Sequence, residues 1–139
     1  MKIISHRGNL NGINKDTENN PHHIIEVLKK FDVEIDVWFI ENKWYLGHDE
    51  PQYEVDCHFF TDTMWLHCKN LDACTKLSDT NLNWFWHEND QMTLTSKGYK
   101  WVYPNIYIQN GITVEFGHNK NLPNYIMGIC TNYPDKYNE

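Results

Sequence analysis

The sequence lacks a long apolar run, an excess of cations and paired cysteines, and each absence narrows the class of protein. No stretch approaches the roughly 20 apolar residues of a transmembrane helix, and no charged-then-apolar leader precedes the first predicted strand. Twelve Lys and Arg against 19 Asp and Glu give a formal net charge of −7, which argues against nucleic acid or an anionic membrane as a partner. The four cysteines are not closely paired, so we expect reduced thiols and a cytoplasmic protein.

The length and the order of predicted elements favour one α/β domain. The 139 residues suit a single unit, 1–139, because two cores of useful size would not fit. Strands alternate with short helices, which is typical of a parallel sheet with crossover connections. Polar groups gather after about seven strand ends, so we predict a reduced TIM-barrel-like domain with its site at the carboxyl-end face. A complete barrel takes roughly 250 residues, so several outer helices must be shortened or replaced by turns.

The helix after the first loop has the clearest signals. Asn20 is predicted as its N-cap and Pro21 as its first residue. The apolar stripe is expected at Ile24, Ile25, Leu28 and Phe31. The remaining elements are predicted as strands over 2–5, 33–40, 44–46, 64–69, 83–86, 100–103 and 125–130, a helix from Asn70 or Asp72, a helical turn over 93–97, a hairpin of 106–108 with 112–116, and a loop over 51–62.

The segment 33–49 carries the strongest indication of chemistry. Glu34 and Asp36 lie two apart on a predicted strand and therefore share a face, and two carboxylates are costly to bury without a cation. A two-residue turn at 41–42 would place Asp36 opposite Gly47. His48 then belongs on the other face of an ideal ladder, unless a twist at Gly47 turns it back. The segment thus predicts a metal site with an imidazole beside it, or else a solvated amphipathic hairpin.

Other residues have both a functional and a structural interpretation. The first strand ends at His6-Arg7-Gly8, which puts an imidazole and a guanidinium at its carboxyl end. On the strand 64–69, His67 and Lys69 share a face, which favours a pocket position for His67. For His87, at the end of a strand, a role in the site and a structural role are equally favoured. The tryptophans Trp65, Trp86 and Trp101 suit core packing or stacking on a ligand, Glu115 suits the mouth of a site or solvent, and His22, His23, His58 and His118 suit solvent.

Taken in order, the polar motifs resemble those of the glycerophosphodiester phosphodiesterase family. That family belongs to the barrel-fold phosphodiesterases, which are similar to bacterial phosphatidylinositol-specific phospholipase C. The resemblance covers nearly the whole chain, and its ordered set of motifs is more specific than any one alone. The motifs are His6-Arg7-Gly8, Glu18-Asn19, Glu34-Ile35-Asp36 and Gly47-His48-Asp49, with weaker echoes in 65–69, in 94–98 and in 128–135.

The resemblance implies a metal-dependent hydrolase acting on a small glycerophosphodiester. A phosphodiester is an anion, so its charge must be neutralised, while one group takes a proton and another gives one to the leaving alkoxide. Histidine suits both proton transfers near neutral pH. The implied roles are general acid and base for His6 and His48, divalent-cation binding for Glu34 and Asp36, phosphate contact for Arg7 and Lys69, and support for Glu18 by hydrogen bonding or metal ligation.

His67 is the main departure from the family's pattern, which has a third metal-binding carboxylate at this position. The oxygen ligands Glu34 and Asp36 suit magnesium or calcium, whereas an imidazole in the set would favour manganese or zinc. Two alternatives stay open: a phosphate-ligand-binding protein of the same fold that has lost turnover, and a lyase that forms a cyclic phosphate. The head group of the substrate and the oligomeric state have no signal in the sequence.

Overall fold

The structure is a computed structural model and describes residues 1–138. Within that range the helices are too short and too polar to cross a lipid bilayer. The α-helices are α1 (Pro21–Val27), α2 (Leu71–Leu77) and α3 (Pro134–Tyr137). The strands are β1 (Lys2–His6), β2 (Asp32–Ile40), β3 (Lys43–Leu46), β4 (Tyr53–Val55), β5 (Met64–Cys68), β6 (Asn83–Phe85), β7 (Met92–Leu94), β8 (Lys100–Val102), β9 (Gly111–Glu115) and β10 (Gly128–Thr131).

All ten strands belong to one mixed sheet that curls into a half-barrel. Seven of them are parallel, in the order β6-β5-β2-β1-β10-β9-β8. Antiparallel strands are added at two places, where β7 pairs with β8 and where β3 and β4 continue from the far half of β2. The curl brings the ring of Phe85 on β6 to 4.6 Å from that of Trp101 on β8. The α/β class, the parallel strands and the short helices were all predicted.

Two apolar layers cover the two faces of the sheet. Val33, Ile35 and Val37 of β2 pack outward in the layer that contains the buried residues of α1 and α2. Because side chains alternate along a strand, Glu34 and Asp36 face the inside of the curl. The inner layer consists of Ile4, Trp65, Phe85, Trp101, Ile112, Val114 and Cys130.

Local signals fixed the start of α1 and the hairpin of β2 with β3. Asn20 caps α1, since its side chain accepts hydrogen bonds from the backbone N–H of His22 and His23. The predicted apolar stripe of α1 was wrong at one position, because Ile25 is 49% exposed and Val27 is buried instead. In the hairpin, the turn residues at 41–42 have positive φ, as a type I′ turn requires. Gly47 N–H donates to Asp36 O at 3.1 Å, so the predicted register is correct.

Four predictions about the second half and the loop were wrong because long-range pairing decided the outcome. Segment 51–62 contains β4 and a 3₁₀ turn, and part of 93–97 lies in β7, where pairing with β8 replaces the predicted helical turn. β9 pairs in parallel with β8 and β10 and does not form a hairpin with 106–108. The last strand begins at Gly128 rather than at 125. Hydrophobic periodicity indicates which side chains are buried, but it does not indicate which strands are neighbours in the sheet.

Replacing Gly128 with Ala should lower the free energy of unfolding by about 1–3 kcal/mol, the usual cost of overpacking. A Cβ at this position would lie 2.2 Å from Lys2 O on the neighbouring strand β1, so backbone must move. Gly117→Ala is the matched control, because its Cβ would find its nearest neighbour at 3.8 Å. Urea unfolding of the two variants tests this, and equal midpoints would contradict the close approach of β1 and β10.

Candidate active site

The carboxyl ends of the parallel strands converge on a hollow of about 200 Å³. On each contributing strand, the residue two positions beyond an inner-layer residue projects to the same side. His6 therefore lies on the same side as Ile4, two positions before it, and His67 lies on the same side as Trp65. The hollow is lined by His6, Arg7, Glu34, His67, His87, Glu88, Trp101, Tyr103, Pro104, Val114 and Phe116.

Glu34, Asp36 and His67 form a cluster at the base of this hollow that fits a divalent cation. One potential ligand atom from each residue lies within 4.8 Å of the other two. His67 Nδ1 is 3.4 Å from Asp36 Oδ1 and 3.6 Å from Glu34 Oε2. Two ligands bound about 2.1 Å from one metal are themselves roughly 3.0–3.4 Å apart. Within residues 1–138, the buried atoms Glu34 Oε1 and Asp36 Oδ1 have no hydrogen-bond partner, so the site has acceptors to spare.

The orientation of the His67 ring also suits a metal ligand. Its Nε2 is 2.9 Å from the backbone oxygen of His87, and a carbonyl only accepts, so Nε2 carries the proton. The ring is stacked on Phe85 with 4.9 Å between centroids. Nδ1 therefore points at the two carboxylates, and in the neutral ring it has a free lone pair. A backbone carbonyl that fixes the tautomer in this way is a common outer-shell feature of metal-bound histidines.

The ionisation of this cluster follows from its burial and its charges. Burial by itself would raise the pKa of Asp36, but the nearby His67 ring, attraction to Arg7 and a hydrogen bond from Asn19 outweigh it and lower that pKa. Burial would likewise lower the pKa of His67, but the nearby carboxylates of Asp36 and Glu34 raise that pKa to about 9. The carboxylates thus create a strongly negative site, and they stabilise the protonated, positively charged form of His67.

Arg7 lies against the other side of Asp36. It has a φ of 59°, which is uncommon for a non-glycine residue, and its N–H donates to Glu34 O at 2.8 Å. Its Nε is 3.3 Å from Asp36 Oδ2, and its Nη1 is 3.7 Å from Glu18 Oε1. Asn19 completes the enclosure, because its Nδ2 donates to Asp36 Oδ2 and its Oδ1 accepts from Asp36 N, both at 3.0 Å.

A chain of amides determines the tautomer of His6. Glu18 Oε2 can only accept, so Asn9 presents its Nδ2 at 2.7 Å, and the same Nδ2 donates to Asn132 Oδ1 at 3.0 Å. Asn132 Oδ1 is therefore an acceptor, and His6 Nδ1, 2.8 Å away, must be the donor. The neutral His6 ring then has its lone pair on Nε2, which lies 3.8 Å from Glu34 Oε1. Glu18 thus accepts a hydrogen bond in this chain of amides, and its support of the site stays a prediction.

His48 lies in a neighbouring polar hollow, which has a volume of about 380 Å³. Its Nδ1 is 2.8 Å from Asp49 Oδ1, and its side chain is 39% exposed. This hydrogen bond lowers the pKa of Asp49. Arg7 lines both hollows, so His6 and His48 lie on either side of it in different hollows. That both histidines act on one phosphate stays a prediction. The polar hollow is lined by Arg7, Lys15, Glu18, Asn19, His48, Asp49, Glu50 and Gln52.

Lys69 follows β5 directly, and its backbone N–H donates to Val37 O at 2.8 Å. Its side chain is half-buried and is not among those that line either hollow. The predicted contact of Lys69 with phosphate is therefore still a prediction.

The residues with two interpretations divide between core and site. Trp65 and Trp101 are 2% and 3% exposed and belong to the inner layer, whereas Trp86 is 37% exposed. His87 is buried beside the hollow, and its Nε2 lies 2.6 Å from Asp90 O. Glu115 is buried and accepts from the Tyr107 hydroxyl at 3.0 Å, so it is not solvated.

Sequence reasoning missed the roles of three residues. It did not identify Asn9 as a partner of Glu18, or Asn132 as a partner of His6. Nor did it place Phe116 at the hollow. The only available signal was for Asn132, which falls within the weak echo at 128–135. Amides carry no charge or periodicity that would mark them.

Comparisons with family models, with curated proteins and with solved structures give no match to this chain. The resemblance of its ordered motifs to the glycerophosphodiester phosphodiesterases therefore stays a prediction.

Nuclear magnetic resonance of ¹⁵N-labelled histidine should find the neutral His6 ring with its proton on Nδ1. Replacing Asn132 with Leu removes the acceptor and should shift the ring toward the commoner Nε2–H form. Asn124→Leu is an exposed control that should leave the spectrum of His6 unchanged. A wild-type ring with its proton on Nε2 would show that the amide chain does not orient His6.

Proposed function

We propose that this protein is a metal-dependent phosphodiesterase that hydrolyses a glycerophosphodiester-type substrate. On this proposal the half-barrel is a reduced form of the barrel found in phospholipase C-like phosphodiesterases. The observation that carries the proposal is the grouping of Glu34, Asp36 and His67 with His6 at one end of the parallel strands. Two buried carboxylates, an oriented imidazole ligand and a second imidazole beside them are the parts that metal-assisted attack on a phosphodiester needs.

Each residue has a task that follows from its placement. Glu34, Asp36 and His67 would hold the cation, which when bound neutralises the charge on the phosphoryl oxygens. Arg7 is fixed by Asp36 and Glu18, so it can present the rest of its guanidinium to the phosphate without a conformational search. His6 presents Nε2 toward the hollow and, when neutral, can accept a proton there. His48 would serve the opposite side of the phosphate.

A second function, phosphate-ligand binding without turnover, is favoured by the positions of Lys69 and His48. Lys69 does not line the hollow in which the metal cluster lies, and His48 shares a hydrogen bond with an exposed aspartate. On that interpretation the cluster would bind a metal and an anion, but the second proton transfer would be missing.

The cation should be manganese or zinc rather than magnesium or calcium, because one of its three ligands is a nitrogen. Titration calorimetry should give the tightest binding for these two ions, and binding at 100 times Kd should stabilise the fold by about 2.7 kcal/mol. Glu34→Gln and His67→Ala should each abolish that gain. Glu54→Gln, which changes an exposed carboxylate on strand β4, is the control. A thermal midpoint unaffected by all four ions would remove the metal from the proposal.

Replacing His6 or His48 with Ala should slow hydrolysis of glycerophosphodiesters by roughly 100- to 10,000-fold, the usual contribution of general acid–base catalysis. His22→Ala is the control, since that side chain is exposed on α1. A diester with a nitrophenolate leaving group needs no proton donor, so it should rescue the variant that lacks the acid. Loss of activity in His6→Ala alone would assign the chemistry to one histidine, and full activity in both variants would contradict the acid–base pair. A wild type that hydrolyses no diester would leave the binding function.

A further inference from the structure

We infer that the two hollows beside Arg7 sort the two alcohols of the diester. A compact apolar alcohol occupies the hollow next to His6, and the hydroxylated alcohol occupies the hollow next to His48. This inference rests on the proposed phosphodiesterase function and adds a substrate class, namely diesters of glycerol with a small apolar alcohol. It follows from the contrast between the walls of the two hollows and from their common residue, Arg7.

The hollow next to His6 has a mainly apolar wall beside its charged and histidine side chains. The apolar part is built from Trp101, Tyr103, Pro104, Val114 and Phe116. Phe116 is 54% exposed, and its ring lies 5.8 Å from that of His6. An aromatic ring left in water beside an acid–base residue gains by being covered with an apolar group.

The size of this hollow limits its occupant. Its volume is about 200 Å³, and a dry apolar cavity of about 150 Å³ accommodates benzene. One ring or a short branched alkyl group therefore matches the space inside this hollow.

The hollow next to His48 has the opposite character. Its volume is about 380 Å³, and its wall carries the amine of Lys15 and the amide of Gln52, together with the carboxylates of Asp49 and Glu50. Hydroxyl groups transferred from water into such a wall can regain their hydrogen bonds, whereas the aromatic wall would leave them unpaired at a cost. A glycerol moiety therefore belongs on this side of Arg7.

Two diesters with equally poor leaving groups separate the hollows: the glycerol benzyl phosphodiester and bis(glycerol) phosphate. In the presence of the metal, the wild type should prefer the benzyl diester in kcat/KM. Phe116→Ala should lower that value for the benzyl diester by roughly tenfold or more and change it by less than about twofold for bis(glycerol) phosphate. Tyr125→Ala removes another exposed aromatic side chain that lines neither hollow, and it should change neither value. Equal losses on both diesters in Phe116→Ala would overturn the sorting while leaving hydrolysis intact.

Equilibrium binding tests the sorting independently of turnover. Benzyl phosphate and glycerol phosphate are titrated separately into the metal-loaded protein and followed by nuclear magnetic resonance. Benzyl phosphate should shift the indole signal of Trp101, and its affinity should fall in Phe116→Ala. Glycerol phosphate should shift the signals of His48 and Gln52. If this pattern appears and neither diester is hydrolysed, hydrolysis fails and the sorting stands. If benzyl phosphate leaves Trp101 unshifted, the sorting fails.

Discussion

The burial of two carboxylates on the inner face of β2 is the constraint on which this end of the molecule depends. Glu34 is 2% and Asp36 0% exposed, and neither can remain ionised there without cations and hydrogen bonds. Arg7 comes from the end of β1, Asn19 from the loop before α1, and His67 from β5. The two carboxylates of β2 thus hold three segments that are distant in the sequence close together, and they do so at a place that a ligand can reach.

The imidazole at position 67 determines the charge balance of the site. A third carboxylate at position 67 would leave three buried anions facing one guanidinium. With His67 the set has two anions and a group that accepts either a proton or a metal. The carboxylates need less compensation from the protein, which is consistent with a half-buried Lys69 that lines neither hollow. Asn132 acts in the same direction, since it orients His6 through an amide oxygen and adds no negative charge.

The features predicted correctly depend on residues close together in sequence. The Asn20 cap, the turn at 41–42 and the alternation that puts Glu34 and Asp36 on one face are decided within a few residues. The features that were missed depend on distant partners. Asn9 and Asn132 are 123 positions apart in the sequence. β9 lies between β8 and β10, and its parallel pairing depends on both of them. The grouping of Glu34, Asp36 and His67 was predictable because strand ends in a parallel sheet share an edge, whereas the separate hollow of His48 depends on loop geometry.

The curled sheet has a seam between β6 and β8. Within residues 1–138 β6 pairs only with β5, and the contacts across the gap include the Phe85–Trp101 ring pair and Ser96, whose N–H donates to Trp84 O at 2.7 Å. Strand ladders run without a break on both sides of this gap. The sheet can therefore open at the seam at the cost of these contacts and without breaking a ladder.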